Sequence, residues 1–216
     1  MSKMKAVSAS RSRLWLGGFC LLVFAAISAA MRQGWTDPID TVIREAIQSR
    51  DAPGLLRFAI GITNGGELVL QLLLFVPAAI YLRLYTGRWR PPMLLLANLG
   101  GVWILNTALK DLYRRDRPTI RHLVEAGGYS FPSGHAMSSA AFYGMIGYLL
   151  WKAYRRSWQG AWLFPALAAL LVLIIGWSRV YLGVHFPSDV LAGYAAGGFW
   201  LLLCLARYDR MSEPAG

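Results

Sequence analysis

Apolar residues gather into six blocks along the chain, at approximately residues 14–31, 66–82, 92–109, 136–153, 161–178 and 188–206. Each block has the length that crosses a bilayer's hydrocarbon core as a helix, about 17 to 25 residues. The pattern therefore predicts an all-α polytopic membrane protein, a bundle of six transmembrane helices. Between the first two blocks the pattern changes. Ile39, Val42, Ile43, Ala46 and Ile47 recur at helical spacing among charged residues. That predicts a short amphipathic helix after the first span, lying on the membrane surface. The run Arg50-Asp51-Ala52-Pro53-Gly54 breaks it. No repeat, low-complexity tract or second domain interrupts the series, so residues 1–216 read as one membrane-embedded domain.

Composition agrees with the blocks. Only 15% of residues are charged and 56% are hydrophobic, whereas a soluble domain carries about a quarter charged residues. The net charge of +11 would suggest nucleic acid in a soluble protein. Here it reads as the basic bias of cytoplasmic loops plus an anion site, with no nucleic-acid partner. Cys20 and Cys204 lie within apolar blocks without metal-like spacing and read as membrane filler. Lys3, Lys5, Arg11 and Arg13 precede the first block as they would in a signal peptide. The stretch from Leu14 to Met31 is long for a cleaved signal and reads as a retained helix.

Charge also sets an expected orientation in the cell membrane. The tail, the loop with Arg83, Arg88 and Arg90, and the loop with Lys152, Arg155 and Arg156 are basic. The first long loop balances its arginines with Asp37, Asp40, Glu45, Asp51 and Glu67. The positive-inside rule then puts both termini in the cytoplasm and loops 110–135 and 179–187 outside. Lys110, Arg114, Arg115, Arg117 and Arg121 crowd one outer loop, on the side that usually avoids such clusters. A solvated loop touching lipid headgroups is the plain reading; a phosphate pocket is the sharper one.

Three segments at that face carry chemistry: Lys110 to Pro118, Tyr129 to His135, and Ser178 to Asp189. Lys110, Arg117 and Arg179 can surround one anion, arginine with a planar fork and lysine with a point charge. Ser133 fits the N-cap of the fourth span, and Gly134 lets an anion approach the helix start. Pro187 suits the first turn of the sixth helix, placing His185 just before it and Asp189 within it. Asp189 could then accept one ring N–H of His185 and leave the other nitrogen as a nucleophile. Taken singly, Ser133 is also an ordinary cap, Asp189 a complement to a helix dipole, and His185 an interfacial residue. His135 and His185 lie at the same depth on different spans, beside the basic loop.

Lys110 with Arg117-Pro118, then Pro132-Ser133-Gly134-His135, then Ser178-Arg179 with His185 and Asp189, resembles the three-part signature of the type 2 phosphatidic acid phosphatase superfamily. All three parts occur in order within residues 110–189, with no departure at the signature positions. The resemblance implies that His185 attacks phosphorus to form a phosphohistidine, oriented by Asp189. His135 would protonate the leaving group and then activate water. Lys110, Arg117, Ser133, Gly134 and Arg179 would hold the phosphate oxygens, with no metal and no cofactor. The expected activity is hydrolysis of a lipid phosphomonoester or pyrophosphate. Undecaprenyl pyrophosphate and phosphatidylglycerophosphate are the favoured substrates; phosphatidic acid and diacylglycerol pyrophosphate are further ones. No obligate protein partner is implied. A lipid-linked phosphotransferase shares every residue named, and a non-catalytic lipid-phosphate carrier is the alternative from another class. Glu67 could touch a cationic ligand group, and Arg121, His122 and Glu125 could line the entry. Asn98 and Asn106 read as interhelical hydrogen-bond formers, and Gly193 and Gly197 as close-packing positions.

Overall fold

The computed structural model describes residues 2–49, 52–119 and 122–211 and is helical throughout, apart from turns and loops. Its elements are α1 (Ser2–Arg32), α2 (Asp37–Gln48), α3 (Pro53–Thr63), α4 (Leu68–Thr86), α5 (Arg90–Tyr113), α6 (Gly134–Tyr154), α7 (Leu163–Tyr181) and α8 (Pro187–Met211), with 3-10 turns at Asn64–Gly66 and Gln159–Trp162. Punctuation follows the sequence. Prolines occupy the first turns of α2, α3 and α5, where no N–H is missed. Gly87, at φ +64°, closes α4 by donating its N–H to Arg83 O at 3.0 Å.

Among the described residues, five helical stretches are long and apolar enough to cross a membrane: Ser10–Arg32, Leu68–Thr86, Arg90–Tyr113, Gln159–Tyr181 and Pro187–Asp209. The sixth expected block, 136–153, forms α6 but is not one of these. The reason is its position. Helix α6 packs against α5, α7 and α8, so most of its surface meets protein rather than lipid. Its Ala136, Ser138, Ser139, Ala141 and Gly147 are buried, and small residues there serve helix approach better than hydropathy. Gly193 and Gly197 of α8 do the same from the other side, as expected. A methyl group at Gly193 would lie 2.7 Å from Ser133 O, and one at Gly197 would collide with Met137 O.

Helix α1 runs antiparallel along α8, with Arg13 beside Leu205 and Cys20 beside Gly198. At one end of the bundle α5 and α7 finish and α6 and α8 begin; the described ends of α1 and α8 that lead to the termini meet at the other. From Asp189 to Asp209 the rise along α8 is about 30 Å, the thickness of a bilayer's hydrocarbon core.

The stretch between the first two blocks differs from its apolar reading. Helix α2 forms, with Ile39, Val42 and Ile43 exposed, as a membrane-surface helix requires. Its opposite stripe, Asp40, Arg44 and Gln48, is buried against the bundle. A second helix, α3, follows, which the apolar spacing did not single out. Arg50 and Asp51 of the expected breaker lie outside the described residues, while Pro53 opens α3. Asn106 bonds across helices, donating to Met137 Sδ of α6 at 3.5 Å, and also to Pro132 O at 3.4 Å. Asn98 differs: its backbone carbonyl, not its side chain, accepts from Trp200 Nε1 at 2.9 Å.

Candidate active site

A cavity of about 370 Å³ opens where α4 and α6 begin and α5 ends, and its lining includes Glu67, Lys110, Gly134, His135 and His185. The two histidines, one in the first turn of α6 and one in the turn before α8, thus face one space. On its bilayer side the wall is Val69, Val102 and Trp103, and Val69 and Trp103 are also exposed on the outer surface of α4 and α5.

His185 precedes α8 and is 1% exposed. Its Nδ1 lies 3.2 Å from Ser130 Oγ and 3.5 Å from Asp189 Oδ2. The Ser130 hydroxyl donates to that same carboxylate oxygen at 2.5 Å, so toward Nδ1 it offers a lone pair. Both neighbours of Nδ1 are therefore acceptors, and Nδ1 carries the ring proton. On the other side Nε2 lies 3.3 Å from Arg117 Nη1, and guanidinium has no acceptor. Nε2 must then be the unprotonated nitrogen, with its lone pair turned toward that donor. Burial pushes the imidazole's pKa down to about 3; contact with Asp189 opposes the shift, and the charges of Arg179 and Arg117 add to it. His185 is neutral at physiological pH.

Asp189 is held on every side. Its Oδ2 accepts from Ser130 and, at 2.8 Å, from Phe186 N. Its Oδ1 accepts from Arg115 Nη1 at 2.7 Å.

The cations are fixed by neutral oxygens. Arg117 donates to Val184 O at 2.7 Å, Gly127 O at 2.8 Å and Gly128 O at 3.0 Å. Lys110 Nζ donates to Tyr129 O. Arg179 Nη1 donates to Thr63 Oγ1 at 2.7 Å. Burial draws the pKa of Arg117 below its usual value, though the charge of Asp189 opposes this. Among the described residues, none of the three forms an ion pair with a carboxylate within 4 Å. Their charge is uncompensated at close range.

Next to this charge sit buried polar atoms without partners: Ser133 Oγ, His135 Nε2 and Arg179 Nε. Ser133 does occupy the N-cap of α6, with extended backbone, but its hydroxyl makes no capping bond. That corrects the simple cap reading and leaves the hydroxyl available. Buried orphan groups are rare, and each asks for a ligand or water. Gly134 lies so close to Asn106 that a methyl group would sit 2.9 Å from its Oδ1. His135 is wedged against Gly66, where a methyl group would fall 2.6 Å from the imidazole Cδ2. That turn is pinned from α6 by Tyr143 OH donating to Gly65 O at 2.7 Å and Ser138 Oγ donating to Gly66 O at 3.2 Å.

The structure thus places Lys110, Gly134, His135 and His185 on one cavity, with Arg117 at Nε2 of His185 and Asp189 behind its Nδ1. Ser133 and Arg179 are buried at the adjoining helix ends. Glu67 lines the same cavity. His122 is bonded to Pro118 O instead, Glu125 is exposed, and Arg121 lies outside the described residues. Arg115, read in sequence only as part of the basic loop, belongs to the carboxylate network. Ser130 and Asp40 were not singled out. Ser130 lies inside a quoted segment without a role there, and Asp40 belongs to a polar i, i+4, i+8 stripe on α2.

Comparison with known proteins agrees with the signature. Residues 66–212 match the PAP2 superfamily. Phosphatidylglycerophosphatase B of Bacillus subtilis (strain 168) is 33% identical over 82% of this chain and 86% of its own length. A protein of Escherichia coli (strain K12), provisionally named an undecaprenyl-diphosphatase, is 31% identical over 68% of this chain and 70% of its own. The crystal structure of a transmembrane PAP2-type phosphatidylglycerolphosphate phosphatase from Bacillus subtilis superposes with a TM-score of 0.86 at 30% identity. It covers 93% of this chain and 98% of that one.

Proposed function

The chain belongs to the PAP2 superfamily and is a membrane lipid phosphatase, and from that premise we propose how it works and on what. The reaction is hydrolysis of phosphatidylglycerophosphate or undecaprenyl pyrophosphate through a phosphohistidine on His185. Nε2 of His185 attacks phosphorus, the bond to the leaving oxygen breaks with its electron pair, and His135 gives that oxygen a proton. Water then attacks the phosphohistidine, losing a proton to His135 as the P–N bond breaks and inorganic phosphate leaves. Asp189 holds the ring of His185. Lys110, Arg117, Ser133, Arg179 and the backbone at Gly134 bind the non-bridging oxygens, where stabilising charge contributes most to phosphoryl transfer.

The observation that carries this reading is the trio of buried, unpartnered polar atoms, Ser133 Oγ, His135 Nε2 and Arg179 Nε, at the helix ends that border His185, whose unprotonated Nε2 faces Arg117. A lipid substrate is supported by the wall at Val69 and Trp103, which faces the bilayer between α4 and α5. A tail can stay in the membrane while its headgroup enters. The two substrates are those in the names of the relatives, and phosphatidic acid and diacylglycerol pyrophosphate are further candidates of the same chemistry. Helix α6 serves as the sixth span, shielded by its neighbours. The termini face the cytoplasm and the site faces outward, supported by the basic loops at the end opposite the cavity.

Phosphate release from each lipid, in detergent with EDTA, tests the proposal. We expect turnover to survive EDTA and to fall by several orders of magnitude in His185→Ala. Activity untouched by that substitution, or abolished by EDTA, would overturn it. Phosphate release short of substrate consumption would point to a phosphotransferase.

A further inference from the structure

We infer that Asp40, on the membrane-surface helix α2, is a positioning residue for the catalytic carboxylate. It would act through Arg115 and Ser188. The inference rests on the role proposed above for Asp189 and His185. Asp40 lies outside the residues 66–212 that match the superfamily, and nothing in the three-part signature points to it.

Asp40 is 2% exposed, deep for a carboxylate, and a buried charge must be paired and hydrogen-bonded. Its Oδ1 accepts the N–H of Ser188 at 2.8 Å. That N–H is one of the free donors of the first turn of α8, so a carboxylate from another helix caps the element that bears Asp189. Its Oδ2 accepts the Ser188 hydroxyl at 2.5 Å and Arg115 Nη2 at 3.0 Å. The other nitrogen of the same guanidinium, Nη1, reaches Asp189 Oδ1 at 2.7 Å and Ser188 Oγ at 2.8 Å. Arg115 also stacks on Phe186, its Cζ 4.0 Å from the ring centroid.

One fork thus bridges two buried carboxylates, and each end is fixed. Without Asp40, Arg115 would keep only Asp37 on that side, at 3.5 Å and 67% exposed, where an ion pair contributes little. The guanidinium and the first turn of α8 would both loosen. Asp189 would then lose the constraint on Oδ1 while Oδ2 still faced Ser130 and His185. The carboxylate could turn, and the tautomer and aim of His185 with it. A carboxylate that orients a histidine is itself oriented by its outer partners, and losing such partners costs about 10- to 100-fold in activity at comparable metal sites.

The placement of α2 gives this link a second consequence. Ile39, Val42 and Ile43 form an exposed apolar stripe on α2, with Ile39 and Ile43 lining an apolar groove beside Asp40. The helix therefore seats its apolar face in lipid and holds the carboxylate network with its polar face. Bilayer contact and catalytic geometry meet in one helix.

The test is a double-substitution cycle in the full-length protein, reading kcat and KM by release of radiolabelled phosphate. Asp40→Asn should lower kcat by about 10-fold or more with KM changed less than about 2-fold. In an Asp189→Asn background the same change should lower kcat less than about 2-fold, because the group it positions is already disabled. Glu45→Gln, on the exposed side of α2, should leave kcat unchanged. If Asp40→Asn does not fold, Arg115→Lys, which keeps the charge but not the fork, should show the same loss and the same non-additivity. Equal fold losses in both backgrounds, or an unchanged kcat, would overturn the positioning role while leaving the His185 mechanism standing. That mechanism fails separately, if His185→Ala retains turnover.

Discussion

Two charged clusters lie about one hydrocarbon thickness apart in this bundle, and they are built on opposite rules. Near the ends of α1 and α8 that lead to the termini, Asp209 pairs with Arg13 and, at 2.9 Å, with Lys152. Tyr148 OH accepts from Arg13 at 2.6 Å and donates to Asp209 at 3.1 Å. The cations stack on the rings of Tyr148 and Tyr208. That network joins α1, α6 and α8 and is closed: its carboxylate meets two cations and its hydroxyl both donates and accepts. At the other end only the outer layer, Asp40, Arg115, Ser188 and Asp189, is closed in this way. Among the described residues, the inner layer keeps three cations off carboxylates and leaves Ser133, His135 and Arg179 with unpaired polar atoms. Charge alone does not mark a site. Charge left unanswered inside the protein does, because such groups are costly unless a ligand completes them.

Substitutions can break that contrast. The largest effect is expected at Arg179. Arg179→Lys keeps the charge but loses the fork, and should lower kcat by roughly 100-fold, the scale of removing one preorganised donor. A change in unfolding temperature with kcat intact would place Arg179 among structural cations instead. At the closed cluster the expectation reverses. Asp209→Asn should weaken two charge-assisted contacts, costing about 1.5–3 kcal/mol of stability, read as a lower unfolding midpoint in detergent. Its kcat should stay within about 2-fold of wild type. Lost turnover at unchanged stability would erase the distinction between the two ends.

A further effect is one of pH. Folding lowers the pKa of His185 from its usual value near 6.5 to about 3, chiefly by burial. Between those values the unfolded chain binds a proton that the folded chain does not. This group therefore removes stability as pH falls from about 6.5 toward 3, and contributes no loss above that window. Nitrogen chemical shifts of histidine-labelled protein at pH 5 should report a neutral ring at His185, protonated on Nδ1. A charged ring there would contradict the tautomer assignment.

Much of this was legible in the chain. Apolar blocks located the long helices because lipid-facing surfaces must be continuous, and the three signature fragments contained Lys110, Gly134, His135 and His185, which line one cavity. Hydropathy was less informative for α6, whose neighbours are protein. The carboxylate network was hidden for a different reason. In α2 the apolar stripe is the conspicuous pattern, yet it is the outer face; Asp40, Arg44 and Gln48 opposite it carry the tertiary contacts. Arg115 looked like one more member of a basic run, and only its distance to two carboxylates separates it from Arg117. Ser130 was inside a quoted segment, but a serine's role depends on what its hydroxyl meets.

Rapid-quench labelling addresses the convergence of both histidines on one phosphorus most directly. Enzyme mixed with lipid carrying a radioactive terminal phosphate should become labelled on His185 within a single turnover, with the acid lability and alkali stability of a phosphoramidate. The label should be absent from His185→Ala. Where the leaving group departs without needing a proton, it should accumulate in His135→Ala, which cannot activate water. Full turnover with no label on His185, or label on another residue, would contradict the two-histidine mechanism.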